Sequence, residues 1–451
     1  MGRIVKRLLG DYGMVLVLLA LCALFSVLTL KEQTPTGDDA VNQVAGRVTR
    51  TLDKADTVLA VGAENTDSAE FAERLGERLA DAGFAESQVV IGTPRDLRLV
   101  LDGLKENSGS LAAICATGDV LKWRVIERIP ETHPALGKFE LLTPSTGHWP
   151  DFLKRSNLLA IVDRIVVIAV IAIGMTMVII TGGIDLSVGS LIALSAVVGA
   201  LVMKSLGGLE ASAGGVLAGF AAGILCCGLV GGIGGFLVAR FRVAPFITTL
   251  AIMMAARGLA FMLTGGFSIY QVPDAMPWLG QGTSLGIPNT VILLVVLYTL
   301  AHVFMTHTTL GRYIYAVGGN EEAARLSGVP VGFVIFFVYI VSSLAAGLGG
   351  CIQASQINTG TPNMGQMYEL YVIAAVVVGG TSLSGGTGRI LGTLIGAFII
   401  SVIQNGMNLL GIESYTQQVV LGAVILGAVL LDKVRAGGGL LAFFGRKKAE
   451  A

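Results

Sequence analysis

Along most of this chain the apolar residues neither alternate nor recur at helical spacing; they run on unbroken. About ten stretches, near 13–30, 158–180, 187–203, 213–238, 244–264, 289–306, 331–353, 370–381, 389–407 and 416–431, are apolar over close to the roughly 20 residues that a bilayer-spanning helix needs. The pattern predicts an all-α polytopic membrane protein. One interval departs from it. Between 31 and 155 the chain carries 15 Lys/Arg and 20 Asp/Glu, and its apolar residues fall into short runs and helical repeats. TVLAVG (57–62) reads as a buried strand, and QVVIG (88–92) and LAAICAT (111–117) as a second and a third strand. Phe71, Leu75 and Leu79 lie at i, i+4, i+8 on a helix closed by Gly83, and Leu97, Leu101 and Leu104 mark a second helix. Strand, helix, strand, helix, strand predicts a small parallel α/β insert. The expected organisation is therefore 1–30, a cytoplasmic N-terminus and first transmembrane helix; 31–155, the insert; 156–435, a transmembrane domain; and 436–451, a cytoplasmic tail.

Composition supports the membrane reading: of 451 residues 53% are hydrophobic and 14% charged, with a mean hydropathy of +0.75, too apolar for a soluble globular chain. Net charge is zero, which gives no footprint for nucleic acid. The basic residues have a side, however. Arg3, Lys6 and Arg7 precede the first span, Arg240 and Arg242 follow the fourth, Arg312 and Arg325 follow the sixth, and Lys433, Arg435, Arg446, Lys447 and Lys448 follow the last. By the positive-inside rule these lie in the cytoplasm, and both termini inside requires an even number of spans. The insert at 31–155 is then extracytoplasmic. The first apolar run ends at Leu30-Lys31 without an A-x-A-like site, so it reads as an uncleaved anchor. Cys22, Cys115, Cys226, Cys227 and Cys351 give no disulfide framework, and no metal-ligand spacing stands out.

From Ile165 through Met203 a single ionisable residue occurs, Asp185, in GGIDLSVGS (182–190). A charge at bilayer depth costs about 2.5–3.5 kcal/mol on insertion scales, so this carboxylate needs a reason. Gly182 and Gly183 suit a helix C-terminus, and Asp185 can accept the free N–H groups of Ser187 or Val188 at the start of the next helix. The segment predicts a broken helix or hairpin within the membrane, with Asp185 either only capping or also facing a polar route. The pattern G-G-x-[D/S]-L-S-x-G recurs at 379–386 as GGTSLSGG. Paired breaks at Gly182, Gly183, Gly189 and at Gly379, Gly380, Gly385, Gly386 point to a pathway, lined by Asp185, Ser187, Ser382 and Ser384. Arg257 and Glu369 are read toward helix ends, and none of the four histidines is near Asp185 in sequence. Without an intramembrane relay of carboxylates or histidines, the solute is expected to be neutral and the energy to come from elsewhere. Asn358, Thr359 and Asn363, in the outer loop 354–369, are candidates to meet the solute or a delivering protein.

The loop THTTLGRYIYAVGGNEEAARLSGVPV (306–331) contains Gly318-Gly319 as a flexible joint, Asn320 as a helix cap and Glu321-Glu322 loading the first turn, with Gly328 and Pro330 closing the helix. It predicts a short amphipathic helix shaped either as a surface connector or to fit a groove on a partner. No GxxxxGK[ST] motif occurs in the chain, so any ATP is bound by another subunit and this chain carries no cofactor.

GGIDLSVGS, APFITTLAIMMAARGLAFMLTGG (244–266), GRYIYAVGGNEEAARLSGV (311–329) and YELYVIAAVVVGGTSLSGGTGRILGTLIGA (368–397) together resemble the permeases of the ribose and related monosaccharide ABC importers over roughly residues 150–435. The resemblance implies a permease, not an enzyme, in a bacterial inner membrane. Its implied partners are an ABC ATPase subunit carrying ATP and Mg, a periplasmic substrate-binding protein, and a second permease copy or related permease. It further implies that Gly311, Arg312, Gly318, Gly319, Asn320, Glu321, Glu322, Arg325 and Gly328 transmit ATPase movement. Two departures stand out: Tyr371 occupies a position usually acidic in the family, which bears on solute specificity, and the insert replaces a short loop. Nucleosides, furanosides and branched-chain amino acids are alternative solutes among related permeases. A membrane-anchored sensor, with 57–117 as receptor, is the alternative of a different class.

Overall fold

The computed structural model describes residues 2–33, 35, 37–106 and 110–436; most of the expected tail, 437–451, lies outside the described residues. The chain forms two compact units, Leu30–Asp151 and the remainder.

After α1 (Gly2–Leu28) the smaller unit runs β1 (Leu30–Gln33), α2 (Asp38–Thr51), β2 (Val58–Ala63), α3 (Asp67–Asp81), β3 (Ser87–Gly92), α4 (Pro94–Glu106), β4 (Ala113–Ala116), α5 (Arg124–Thr132), β5 (Glu140–Leu142) and β6 (Gly147–Pro150). Strands β3-β2-β4-β5 form a parallel sheet in that order. Both sheet faces are covered, so β2 and β4 read as continuous apolar runs rather than alternating ones. Val58 and Ala60 pack in one core with Val44, Phe71 and Leu75, while Leu59 and Val61 pack in the other with Leu97, Leu101 and Ile126. The unit begins and ends in an antiparallel ribbon that pairs Leu30 with Pro150 and Gln33 with Gly147.

The larger unit continues with α6 (Arg155–Ile180), α7 (Val188–Ser205), α8 (Ala213–Phe241), α9 (Pro245–Thr264), α10 (Asn289–His307), α11 (Thr309–Gly319), α12 (Glu321–Leu326), α13 (Val331–Ile357), α14 (Tyr368–Val378), α15 (Ile390–Leu409) and α16 (Ser414–Ala436). Among the described residues seven helices are long and apolar enough to cross a membrane, and Gly13–Leu28, Tyr368–Val378 and Ser414–Leu430 are shorter apolar helices. Every residue of α6 from 165 to 180 is buried, as expected of a helix apolar all round that sits at the centre of a bundle. Around it pack α10, α13, α14 and α15.

Glycine explains the close approach of α8 and α13. A β-carbon at Gly231 would lie 2.4 Å from Ser343 Cβ, and one at Gly235 would lie 2.9 Å from the Phe336 carbonyl. Small residues one turn apart let helices pack backbone to backbone where water supplies no hydrophobic drive. Two expectations need correction. The predicted loop 354–369 is helical to Ile357, and Arg257, read near a helix end, lies within α9.

Candidate functional site

Helix α6 ends with Gly182 at φ +80°, Gly182 N–H bonding Ile179 and Gly183 N–H bonding Val178. Helix α14 ends the same way: Gly380 has φ +86°, its N–H bonds Val377, and Thr381 N–H bonds Val376. Both are left-handed C-terminal closures of the kind glycine favours. The closures are one residue out of step with the repeated sequence, because Gly182 opens its motif whereas Gly380 is second in its own. A second likeness follows. Ser187 N–H donates to Asp185 Oδ1 (3.0 Å), and Ser384 N–H donates to Ser382 Oγ (3.3 Å), so each copy forms a side-chain-to-backbone turn.

Asp185 is fully buried. Its Oδ1 also accepts the Ser187 hydroxyl at 2.6 Å, and its Oδ2 accepts the Ser342 hydroxyl from α13 at 2.8 Å. Hydrogen bonds to a charged group contribute about 1.5–3 kcal/mol each, so these three recover part of the cost of burying the carboxylate. Next to it, Thr249 donates to the Ile184 carbonyl at 3.2 Å. The hydroxyl of Tyr339, 2% exposed, has no partner among the described residues. Gly183 leaves room for that hydroxyl, since a β-carbon would lie 2.5 Å from it. A cavity of about 440 Å³ opens here, bounded by Gly182 and Gly183 of the break, Tyr339, Arg242, and Glu321 and Arg325 of α12.

The two breaks meet. Gly386 N–H donates to the Ile180 carbonyl at 2.8 Å, joining the second break to the end of α6. Gly318 of α11 fits against both: a β-carbon there would collide with the Ile180 carbonyl oxygen and lie 2.6 Å from Gly386 N. Tyr315 of α11 donates to the Gly388 carbonyl at 2.9 Å, and burial holds its phenol above its usual range and therefore protonated. Deeper in the bundle Thr176 and Thr393 share a hydroxyl hydrogen bond of 2.8 Å between α6 and α15.

Several sequence-stated roles change with these positions. Gly318 and Gly319 are the last two residues of α11, so they form no flexible joint; Gly318 is there for its missing side chain. Gly189 does not break a helix, because it is the second residue of α7. There it admits the Gly365 carbonyl (2.5 Å from a β-carbon) and the Glu369 carboxylate. Gly379, Gly385 and Gly386 remain in the irregular segment, the last two with φ of +84° and +74°. Asn320 caps α12 through Ala323 N–H (2.9 Å), and Arg325 pairs with Glu321 and Glu322. Gly311 allows the tight passage from α10, where a β-carbon would lie 2.6 Å from two carbonyls, while Arg312 reaches Thr309. Gly328, at φ +83°, closes α12. Asn358 and Asn363 are exposed, but Thr359 is buried and donates to the Ile269 carbonyl at 2.9 Å, which makes it a brace between segments.

The sequence reading names Arg257 without giving it a role. Its Nη1 donates to the Pro362 and Met364 carbonyls (2.8 and 2.6 Å) and its Nη2 to the Gly189 carbonyl (3.2 Å). The clamp ties the loop before α14 to the start of α7. Its signal was present: it is the lone charge in the apolar run 244–266, and such residues are expensive unless they hold something.

A profile of the family described as "Branched-chain amino acid transport system / permease component" matches residues 157–429. The chain is 45% identical over 287 residues to the ribose import permease protein RbsC of Escherichia coli K12, covering 63% of this chain and 87% of the relative. To the Bacillus subtilis 168 protein of that name it is 42% identical over 305 residues, 67% of this chain and 92% of the relative. To the L-arabinose ABC transporter permease protein AraH of Azospirillum brasilense it is 34% identical over 326 residues, 72% and 93%. No solved structure matches significantly.

Proposed function

The chain belongs to the family of permease components just described, and from that membership we propose that it is the membrane subunit of an ATP-binding cassette importer for a neutral monosaccharide of the ribose, arabinose or allose kind. It is a transport subunit and not an ATPase. The seven long helices and three shorter apolar ones would make ten passes, with both termini and α11–α12 in the cytoplasm and residues 31–155 outside. Helix α14, at 11 residues, is about 16 Å long, so the irregular segment of the second break would complete its pass.

The single observation that carries the mechanism is the junction of Ile180, Gly318 and Gly386. The end of α11 at Gly318 sits against both breaks too closely to admit a side chain, so a force on α11–α12 has little slack to cross before it reaches them. In this reading a partner ATPase grips α12, whose Leu326 is 88% exposed, and tilts α11. The breaks at 181–187 and 379–389 then shift between outward- and inward-open arrangements. Asp185, Ser187, Ser382 and Ser384 supply polar atoms beside the route, and Tyr339 brings an unsatisfied hydroxyl to its cytoplasmic cavity. A periplasmic binding protein delivers the sugar, and a second permease copy completes the pathway.

The test is mild extraction of the full-length protein with whatever ATPase accompanies it, followed by ATP hydrolysis measured with D-ribose, L-arabinose and D-allose. Sugar-stimulated hydrolysis is the expected result. Absence of any accompanying ATPase, or hydrolysis indifferent to all three sugars, overturns the reading.

A further inference from the structure

Two adjoining cavities open at the end of the helical unit away from the junction. Arg164 lines both, and from it α6 runs to Ile180, a path of about 24 Å at the helical rise per residue. In the orientation proposed above this is the face from which an imported solute arrives, so the present inference rests on that reading.

The lining is unlike the rest of the bundle. In a cavity of about 270 Å³, four apolar helices each contribute polar side chains to one space: Arg164 from α6, Tyr368 and Tyr371 from α14, Gln404 and Asn408 from α15, and Gln417 from α16. Polar groups at such positions are costly in lipid and mark solute routes. The second cavity, about 470 Å³, adds Asp163 beside Arg164, and lies within the size range of small-molecule sites.

The tyrosine and amide groups are also held in place yet keep free bonding capacity. Tyr368 Oη accepts from Gln353 Nε2 at 3.1 Å, which leaves its own O–H to donate elsewhere. The ring of Tyr371 lies 6.1 Å from that of Tyr368 at 61°, presenting two aromatic planes in different directions. Gln417 Nε2 is committed to Asn408 Oδ1 and the Ile412 carbonyl, both at 2.8 Å, and this fixes the amide wall with the Gln417 carbonyl left over. Arg164 makes no hydrogen bond or ion pair among the described residues; its five donors are available. Donors, acceptors and ring faces together are what a compact polyhydroxyl ring demands: hydroxyls that give and take hydrogen bonds, and C–H faces that rest on aromatic surface.

We propose that Arg164, Tyr368, Tyr371, Gln404 and Asn408 form a receiving site for a neutral monosaccharide at the outer mouth of the permease. The site takes sugar before the helix breaks move.

The test uses the full-length chain in nanodiscs, with saturation-transfer NMR of D-ribose, L-arabinose and D-allose and 31P line broadening of inorganic phosphate, together with the sugar-stimulated ATPase assay of the extracted complex. At least one sugar is expected to receive saturation while phosphate is not broadened. Loss of a hydrogen bond to a charged group is worth a factor of about ten or more, so Arg164→Ala should raise the sugar's apparent Kd and the KM for stimulation about tenfold with kcat little changed. Arg164 carries no hydrogen bond or ion pair among the described residues, so this variant is expected to insert and fold; Tyr371→Ala should act likewise, and Tyr368→Phe, which removes only a hydroxyl, serves should either variant fail to insert. Wild-type Kd and KM in Arg164→Ala and Tyr368→Phe, or phosphate binding that competes with sugar, overturns the proposal while sugar-stimulated hydrolysis leaves the importer reading standing. Failure of every sugar both to bind and to stimulate overturns the two together.

Discussion

At the scale of single residues, the structure separates glycines that turn the chain from glycines that make room. Gly182 and Gly380 turn it; Gly318, Gly189 and Gly231 make room. The two kinds look alike in sequence, because a positive φ and a missing side chain leave the same letter, and this is why the motif was legible but the role of Gly189 was not. Gly318→Ala should leave membrane insertion intact and abolish sugar-stimulated ATP hydrolysis, since the added methyl separates α11 from Ile180; unchanged stimulation would remove the junction from the mechanism. Asp185 allows a graded test. Asn keeps an acceptor for Ser187, so Asp185→Asn should melt within a few degrees of wild type in detergent. Asp185→Leu strands the Ser187 N–H and two hydroxyls at about 1–3 kcal/mol apiece and should reduce folded yield severely, as read by size-exclusion fluorescence. In the smaller unit, burial beside Glu140 pushes the Cys115 thiol up to about 12. Peptide mapping after maleimide treatment at pH 8 should find Cys115 unlabelled until the protein is denatured.

The elements show where periodicity sufficed and where it did not. Strands β2, β3 and β4 and helices α3 and α4 fall on the runs and repeats that point to them; β2 and β4, covered on both faces, write themselves as unbroken apolar stretches, while β3 at the sheet edge leaves Val89 exposed. Strand β5 and helices α2 and α5 went unread: β5 has three residues, and α2 and α5 carry mixed polar faces that only packing resolves. Local caps were readable. Asn320 opens α12 as its spacing suggests, and Asn320→Ala should weaken that turn by about 1 kcal/mol, while Glu321→Lys with Glu322→Lys reverses the charge at a helix N-terminus and should uncouple hydrolysis from sugar without affecting insertion. At the start of α4, Thr93 donates both its hydroxyl and its N–H to Asp96, each at 2.7 Å, and these bonds hold the Asp96 carboxyl below its usual range. A depressed folded pKa stabilises above the unfolded value and is lost as pH falls through the folded one. The melting difference between wild type and Thr93→Val should therefore be full at pH 6 and shrink below about pH 4; a constant difference would count against the cap.

For the molecule as a whole, the apolar runs were the most legible feature, since length and hydropathy alone mark a helix that meets lipid or a dry core. What no run of letters conveys is convergence. The breaks are distant in sequence from one another and from α11, and only the packed bundle brings the three together; the same holds for Arg164 and the amides of α15 and α16. Deleting 35–146 and joining the flanks through two glycines should leave sugar-stimulated hydrolysis measurable, whereas its complete loss with the helices still inserted would make the smaller unit part of the transport cycle. The expectation has a geometric basis in the ribbon of β1 and β6. Because the outgoing and returning strands are hydrogen-bonded neighbours, about 5 Å apart, the excursion is a bead tied off at its own neck. The neck, and not the bundle, bears the entropy of closing the circuit. Whatever the bead contains, the ends presented to α1 and α6 stay the same distance apart, so this position can accept, lose or exchange a domain without resetting the helices on either side.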